Sequence, residues 1–175
     1  MKIEVKESRT IFTGGLLTLK LDRIVFSEAR EAEREYVVFG RSVLMVPITS
    51  DDRVVLVSQY RHPTGEFILE LPAGKVEEGE APDRAALREL LEETGYRAEN
   101  LVQFGEFYLA PGYSTELMTG FVATGLVPGE KQPDPDEILS NALLTRDEVV
   151  AGLRQARFQD AKTILGLLWW LREGP

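Results

Sequence analysis

Apolar residues recur along the chain in short alternating or continuous runs, which predict a protein rich in β-strands. Residues 2–7 alternate apolar and charged positions, and residues 16–26 have strand-like composition. Residues 27–35 are mostly charged, which predicts an exposed loop or a polar hairpin tip. Residues 1–40 are therefore expected to form a small N-terminal antiparallel β layer, separate from a main domain over residues 41–175.

The main domain opens with two apolar runs, residues 43–48 and 54–60, on either side of a polar turn at residues 50–53. This arrangement predicts a buried hairpin. Residues 125–137 are rich in proline and acidic residues and predict a loop. The other predicted strands cover residues 67–71, about 101–109, 117–124 and 138–144.

Helix signals lie between and after these strands. Thr145 is followed three residues later by Glu148, the spacing of a capping box at a helix start. Residues 160–172 are apolar enough to predict a largely buried helix. Mixed strands with helices between and after them predict an α/β fold in which a sheet lies between helices.

The segment from Gly74 to Tyr96 predicts a glycine-bounded loop that leads into a short helix. Pro82 fits the first helical turn, where its missing N–H is not needed, and Gly95 fits just past the helix end. On that helix Glu89, Glu92 and Glu93 are three or four residues apart, so their carboxylates converge on one face within roughly 6 Å.

Carboxylates this close raise one another's pKa or recruit a cation. An all-oxygen cluster without His or Cys suits Mg²⁺ or Mn²⁺ better than zinc. Arg88 can pair with Glu92 four residues later, which would leave Glu89 and Glu93 as the freer ligands. The alternative interpretation is a solvated acidic helix face without a ligand.

Composition narrows the function classes. With 175 residues and 43% hydrophobic residues, the chain suits one domain with a small appendage. Its net charge of −9 argues against sequence-independent binding of DNA or RNA, which depends on Lys and Arg. The absence of cysteine and of a long apolar run predicts a cytoplasmic protein without membrane spans. A single histidine, His62, excludes a His-rich metal site.

The glycine loop and the helix together carry an ordered motif: Gly, five residues, Glu, seven residues, then Arg-Glu-hydrophobic-x-Glu-Glu-x-Gly-hydrophobic. The chain matches every defined position, as Gly74, Glu80, Arg88, Glu89, Leu90, Glu92, Glu93, Gly95 and Tyr96. This is the Nudix box, and the chain resembles the Nudix hydrolases, which use metal ions to split a nucleoside diphosphate linked to another group. The resemblance implies a Nudix α/β/α sandwich with a mixed sheet.

The same resemblance implies a set of metal ligands and catalytic groups. Mg²⁺, for which Mn²⁺ can substitute, would be held by Glu89, Glu92, Glu93 and the backbone carbonyl of Ala73. Glu92 and Glu93 are accordingly expected to take part in catalysis.

Residues outside the box resemble the ADP-sugar pyrophosphatase branch of the family. Arg61 ends the segment Gln59-Tyr60-Arg61, and in that branch an arginine at this place contacts the diphosphate. A guanidinium suits phosphate because its fork donates two parallel hydrogen bonds. Glu70 is expected either to contact the substrate, to orient this arginine or to form a purely structural pair. The alternative for Arg61 is a surface side chain at a strand end.

Two loops complete the resemblance. Pro111, with Gly112, stands 15 residues beyond the last box position and resembles the loop that lines the terminal ribose in the ADP-ribose branch. The alternative is a plain Pro-Gly turn between strands. The attacking water needs a base or an orienting group, for which Glu137 is the first candidate and Glu116 the second.

The function implied is Mg²⁺-dependent hydrolysis of the diphosphate bond of ADP-ribose or a related nucleoside diphosphate sugar, giving a nucleoside monophosphate and a sugar phosphate. The expected partner is this small molecule rather than nucleic acid or membrane. A homodimer is expected, with residues 1–40 serving dimerisation and base binding. The alternatives are a non-catalytic ADP-ribose sensor and a hydrolase of another nucleotide such as GDP-mannose.

Overall fold

The computed structural model describes residues 3–26, 30–130 and 139–174. The chain forms two compact units. Unit 1 comprises Met1–Arg41 and Tyr108–Leu117, and unit 2 comprises Ser42–Phe107 and Met118–Pro175. The division into a dimerising, base-binding layer over residues 1–40 and a catalytic domain over residues 41–175 stays a prediction.

Unit 1 is built on a three-stranded antiparallel sheet, as expected for the N-terminal layer. Its strands are β1 (Glu4–Thr13), β2 (Thr18–Val25) and β3 (Glu31–Val38), in the order β1-β2-β3. The prediction of a loop or hairpin tip is wrong for residues 31–35, which belong to β3. Their charged side chains pair across the sheet, as Arg23 does with Glu31, so polarity alone did not exclude a strand.

Unit 2 is built on two sheets. The first has the order β7-β4-β9-β8 and is formed by β4 (Arg41–Pro47), β7 (Ala73–Lys75), β8 (Tyr96–Tyr108) and β9 (Leu117–Pro128). The second has the order β10-β5-β6 and is formed by β5 (Arg53–Arg61), β6 (Glu66–Glu70) and β10 (Leu139–Thr145). The end residues Arg41, Tyr108 and Leu117 fall in unit 1.

Two expectations about these strands are wrong. The runs at residues 43–48 and 54–60 are strands, but β4 and β5 lie in different sheets, and the bridge Ile48–Val54 beside the turn joins the two runs. A turn signal fixes a change of direction, whereas the choice of partner depends on distant strands. The loop predicted over residues 125–137 is wrong for residues 125–128, which continue β9, and residues 131–137 lie outside the described residues.

Strand β4 lies between two helices, because its successive side chains face α1 and α3 in turn. Val43 and Met45 pack in one cluster with residues of helix α1 (Pro82–Thr94). The intervening residues Leu44 and Val46 lie beside Gly166 of helix α3 (Ala161–Glu173). Both faces of β4 are therefore buried under helices, and the expected α/β/α sandwich is confirmed.

The helix boundaries follow the predicted signals. Helix α1 has Pro82 in its first turn and ends at Gly95, which has the left-handed φ of 76° that favours glycine. Helix α2 (Arg146–Arg154) begins with a complete capping box between Thr145 and Glu148.

Helix α3 is less buried than its composition predicts. Leu167 and Trp170 are fully buried, but the side chains of Leu165 and Leu168 are exposed. Trp169 stacks on Phe104 with ring centroids 4.8 Å apart. The helix is thus amphipathic, and among the helices of the described residues none is long and apolar enough to cross a bilayer.

Candidate active site

Arg88 is the centre of the acidic cluster on α1. Its Nε and Nη2 donate to the two carboxylate oxygens of Glu80 at 3.1 and 2.9 Å, and Nη1 donates to Glu89 at 2.8 Å and to Glu92 at 3.0 Å. Nη2 also donates to the carbonyl of Lys75. The hydrogen bond to Glu80, together with the charge of Glu89, raises the pKa of Arg88, and the same contact from Arg88 lowers the pKa of Glu80.

The expected pair between Arg88 and Glu92 is present, but Glu89 is not left as a freer ligand, because the same Nη1 atom binds both carboxylates. The four-residue spacing predicts only the pair of Arg88 with Glu92, whereas a guanidinium fork also reaches the neighbouring side chain of Glu89. Glu93 is held by a different group. It is 3% exposed and accepts a hydrogen bond from the backbone N–H of Ala73 at 3.1 Å.

Gly74 gives Glu89 the space it occupies. A Cβ atom built on Gly74 would lie 1.9 Å from the carboxyl carbon of Glu89 and 2.2 Å from each of its oxygens. Gly74 is paired with Val43 in the sheet, so its backbone is held in place. The first glycine of the motif is therefore needed for close approach: the strand and the helix can meet here only because residue 74 has no side chain.

The donors at this end of α1 fit a hard divalent cation by their chemistry. Glu89, Glu92 and Glu93 supply carboxylate oxygens, and the Ala73 backbone lies beside Glu93. Among the described residues, no group of three or more acidic, histidine or cysteine side chains is already arranged so that it could hold a metal ion. Ligation by Ala73, Glu89, Glu92 and Glu93 consequently stays a prediction.

A second charged cluster joins β5, β6 and α3. Arg61, at the end of β5, donates from Nε and Nη2 to the two oxygens of Glu70 at 2.8 Å each. Lys162 binds the same Oε2 atom of Glu70 and also contacts Asp160 at 3.0 Å. Burial alone would raise the pKa of Glu70, but the hydrogen bond from Arg61 and the charge of Lys162 lower it. The hydrogen bond to Glu70 raises the pKa of Arg61.

The first turn of α3 links this cluster to the short segment between β6 and Ala73. Asp160 caps the helix by accepting from the backbone N–H of Thr163 at 2.9 Å. The hydroxyl of Thr163 accepts in turn from the buried N–H of Leu71 at 2.8 Å. Sequence reasoning missed these residues, although the N-cap spacing Asp160-Ala-Lys-Thr163 at the start of an apolar helix was a signal for them.

The remaining predicted site residues do not belong to the described part of unit 2. Pro111, Gly112 and Glu116 belong to unit 1, where the first two form a turn closed by the hydrogen bond from Ser114 N–H to the carbonyl of Ala110 at 2.8 Å. Glu116 follows this turn. Glu137 lies outside the described residues. The substrate roles of Pro111 and Gly112 and the catalytic roles of Glu116 and Glu137 stay predictions.

Comparison with known proteins agrees with this geometry. A family model described as the NUDIX domain matches residues 38–166. The chain is 36% identical over 163 residues to the methanol dehydrogenase activator of Bacillus methanolicus, covering 92% of this chain and 88% of that protein. It is 33% identical over 155 residues to an ADP-ribose pyrophosphatase of Bacillus subtilis, covering 87% and 84%. A crystal structure of an ADP compounds hydrolase superposes with a TM-score of 0.88 at 26% identity, covering 99% and 97%.

Proposed function

The chain belongs to the Nudix domain family, and on that premise we propose that it hydrolyses the diphosphate bond of ADP-ribose or a related nucleoside diphosphate sugar in a Mg²⁺-dependent reaction. The products would be a nucleoside monophosphate and a sugar phosphate. The observation that carries the proposal is that Arg88 holds three of the four box acids together, in the unit that also contains Glu93 and Arg61. The ADP-ribose preference is supported by the relative from Bacillus subtilis.

Each side chain would have a defined task. Glu89, Glu92, Glu93 and the carbonyl of Ala73 would hold the divalent cation, which when bound would neutralise the diphosphate and acidify the attacking water. Arg88 keeps the carboxylates of Glu89 and Glu92 oriented through one guanidinium nitrogen. Buried Glu93 is oriented by the N–H of Ala73.

The substrate anion would meet Arg61, whose Nε and Nη2 are occupied by Glu70. This pair fixes the plane of the guanidinium, so that its Nη1 edge can donate to a phosphate oxygen. Among the alternatives for Glu70, we therefore propose the arginine-orienting role. Glu137 or Glu116 would position or deprotonate the attacking water, and Pro111 with Gly112 would line the terminal ribose.

The test is a substrate panel of ADP-ribose, ADP-glucose, GDP-mannose, diadenosine polyphosphates and 8-oxo-dGTP with Mg²⁺, scored by product identity. We expect ADP-ribose to give AMP and ribose phosphate with the highest kcat/KM. Matched reactions in EDTA should show no turnover. A preference for nucleoside triphosphates would contradict the substrate assignment, and binding of ADP-ribose without turnover at any Mg²⁺ or Mn²⁺ concentration would favour a sensor.

We also propose a homodimer, because the outer strand of unit 1 lacks a covering surface within the described chain. All ten residues of β1 are exposed, including Ile11 and Phe12, whose exposed fractions are 53% and 57%. An edge strand with such apolar side chains favours pairing or packing with another chain. A second copy would use residues 1–40 to complete the partner's base-binding site. A cytoplasmic location stays a prediction from the absence of cysteine.

The dimer is tested by removing residues 1–38 and by placing a charge at Phe12. The truncated protein should sediment as a monomer and bind ADP-ribose much more weakly. Phe12→Glu in the full chain should weaken the dimer, whereas Thr10→Glu, at an exposed polar position of the same strand, should leave it intact. A truncated protein that stayed dimeric with unchanged affinity would exclude the exchange.

A further inference from the structure

Four charged side chains of unit 2 form a row of alternating sign, which we call the charge row: Asp160, Lys162, Glu70 and Arg61. Asp160 contacts Lys162 at 3.0 Å, Lys162 binds Oε2 of Glu70, and Glu70 holds Arg61 through two hydrogen bonds of 2.8 Å. Two negative and two positive groups make the row neutral as a whole. Its charges are joined by direct contacts, so each member alters the charge that the next presents.

Arg61 is the most exposed member of the row. The side chains of Glu70 and Lys162 are 3% and 10% exposed, whereas that of Arg61 is 36% exposed. Lys162 therefore cannot itself serve as an open binding group for a large anion, but its charge is poorly screened by water. Arg61 is the end of the row at which a ligand can enter.

We propose that Lys162 is a positioning residue that acts through Glu70 and sets the net charge that Arg61 presents to the substrate diphosphate. Without Lys162, the negative groups Asp160 and Glu70 would outnumber the single cation Arg61. The row would then carry one net negative charge where a diphosphate has to bind. With Lys162 in place, two cations offset the negative charge of Glu70. The positive charge of Arg61 is then only partly neutralised and can attract the ligand. This inference rests on the proposed function, because it takes Arg61 as a diphosphate contact.

The test begins with Lys162→Met, which keeps the apolar stem and removes the charge. We expect KM for ADP-ribose to rise about tenfold, the size expected for a unit charge within roughly 10 Å of a doubly charged anion in a partly screened site. The value of kcat should stay within about twofold, because the residue touches neither the box acids nor the reacting atoms. Lys162→Arg should keep KM within about threefold of the wild type.

The decisive variant is the double change Asp160→Asn with Lys162→Met. Asparagine caps a helix as well as aspartate does, so the start of α3 is kept while one negative charge is removed. The row returns to neutrality, and KM should return to within about threefold of the wild-type value. A merely structural role for Lys162 predicts no recovery, because Lys162→Met has already lost the contacts with Glu70 and Asp160 and Asp160→Asn restores neither.

Controls separate charge from folding. Arg172→Met removes one positive charge from an 84% exposed side chain on the same helix and should leave KM within about twofold. If Lys162→Met does not fold, Lys162→Gln keeps a hydrogen-bond donor for Glu70 without the charge and serves in its place. An unchanged KM for the charge-removing variant, or a double variant with a KM no lower than that of the single variant, would overturn the inference.

Failure of the proposed function is recognised on the wild type. If the wild type cleaves another nucleoside diphosphate sugar instead of ADP-ribose, the substrate assignment fails, and the KM series is measured with that compound, because every such substrate carries a diphosphate. If the wild type binds ADP-ribose in EDTA but cleaves nothing, the hydrolase proposal fails, and dissociation constants from calorimetry replace KM. If it neither binds nor cleaves any diphosphate, both proposals are overturned.

Discussion

Replacing Gly74 with alanine tests whether close approach of the sheet to α1 is required for activity. The added Cβ would lie 1.9 Å from the carboxyl carbon of Glu89, where ordinary contacts begin near 3.4 Å. Because Gly74 is held in the sheet opposite Val43, which is fully buried, we expect the Glu89 carboxylate to move rather than the strand. The displacement needed is about 1.5 Å.

A shift of this size is incompatible with ligation. Bonds from Mg²⁺ to oxygen are about 2.1 Å long with little tolerance, so Glu89 would lose its predicted place as a ligand. Withdrawal of about 3 kcal/mol of charge stabilisation corresponds to a loss of roughly a hundredfold in kcat/KM. The fold should survive, because the clash is with a carboxylate that can rotate away, and Tm should fall by only a few degrees.

The assay is the rate of AMP formation from ADP-ribose at several Mg²⁺ concentrations, with Tm measured on the same preparations. Gly105→Ala is the matched control, since a Cβ there would meet nothing within 4 Å. In a Glu89→Ala background, the Gly74→Ala change should cost little more, because the carboxylate that it would displace is gone. Activity of Gly74→Ala within twofold of the wild type would refute the reasoning.

Three further variants test the site and its frame. Glu93→Gln keeps the shape of a buried predicted ligand but removes its charge, so turnover should fall by roughly two orders of magnitude with Tm retained, and near-full activity would exclude ligation. The pKa of Glu70 is lowered in the folded protein, so its ionised form stabilises the fold above its ordinary pKa, and this stability is lost as the pH falls below about 4. Glu70→Gln should therefore flatten the plot of Tm against pH in this acidic range. An unchanged plot would contradict the assignment. Thr145→Ala should cost about 1 kcal/mol of unfolding free energy by removing the cap of α2, measured by urea denaturation, and no cost would show that the box is not needed.

Local sequence signals predicted the helix boundaries well, because the interactions that start and end a helix involve residues close together in the sequence. Pro82 and Gly95 mark the ends of α1 through their own backbone preferences, and Thr145 marks the start of α2 through a side chain three residues from its partner. Strand pairing could not be predicted in the same way. The turn after β4 suggested a hairpin with β5, but β4 pairs with β7 and β9, which are far away in the sequence.

The features of the candidate site likewise divide into those with local causes and those that depend on distant residues. Glu89, Glu92 and Glu93 share one helix, so their common face followed from spacing. That Arg88 would bind Glu80 and Glu89 as well as Glu92 depends on how the glycine loop returns to the helix. The position of Lys162 beside Glu70 depends on the docking of α3, 92 residues away, and no local pattern contained it.

Both tryptophans of the chain, Trp169 and Trp170, lie in α3, and unit 1 has none. Trp170 is fully buried with the guanidinium of Arg146 4.5 Å from its ring centre, and Trp169 stacks on Phe104. Tryptophan fluorescence therefore reports on the packing of this helix and does not directly report the melting of the β1-β2-β3 sheet. Far-ultraviolet circular dichroism records both units, so a melt followed by both optical probes will separate into two curves if the units unfold independently.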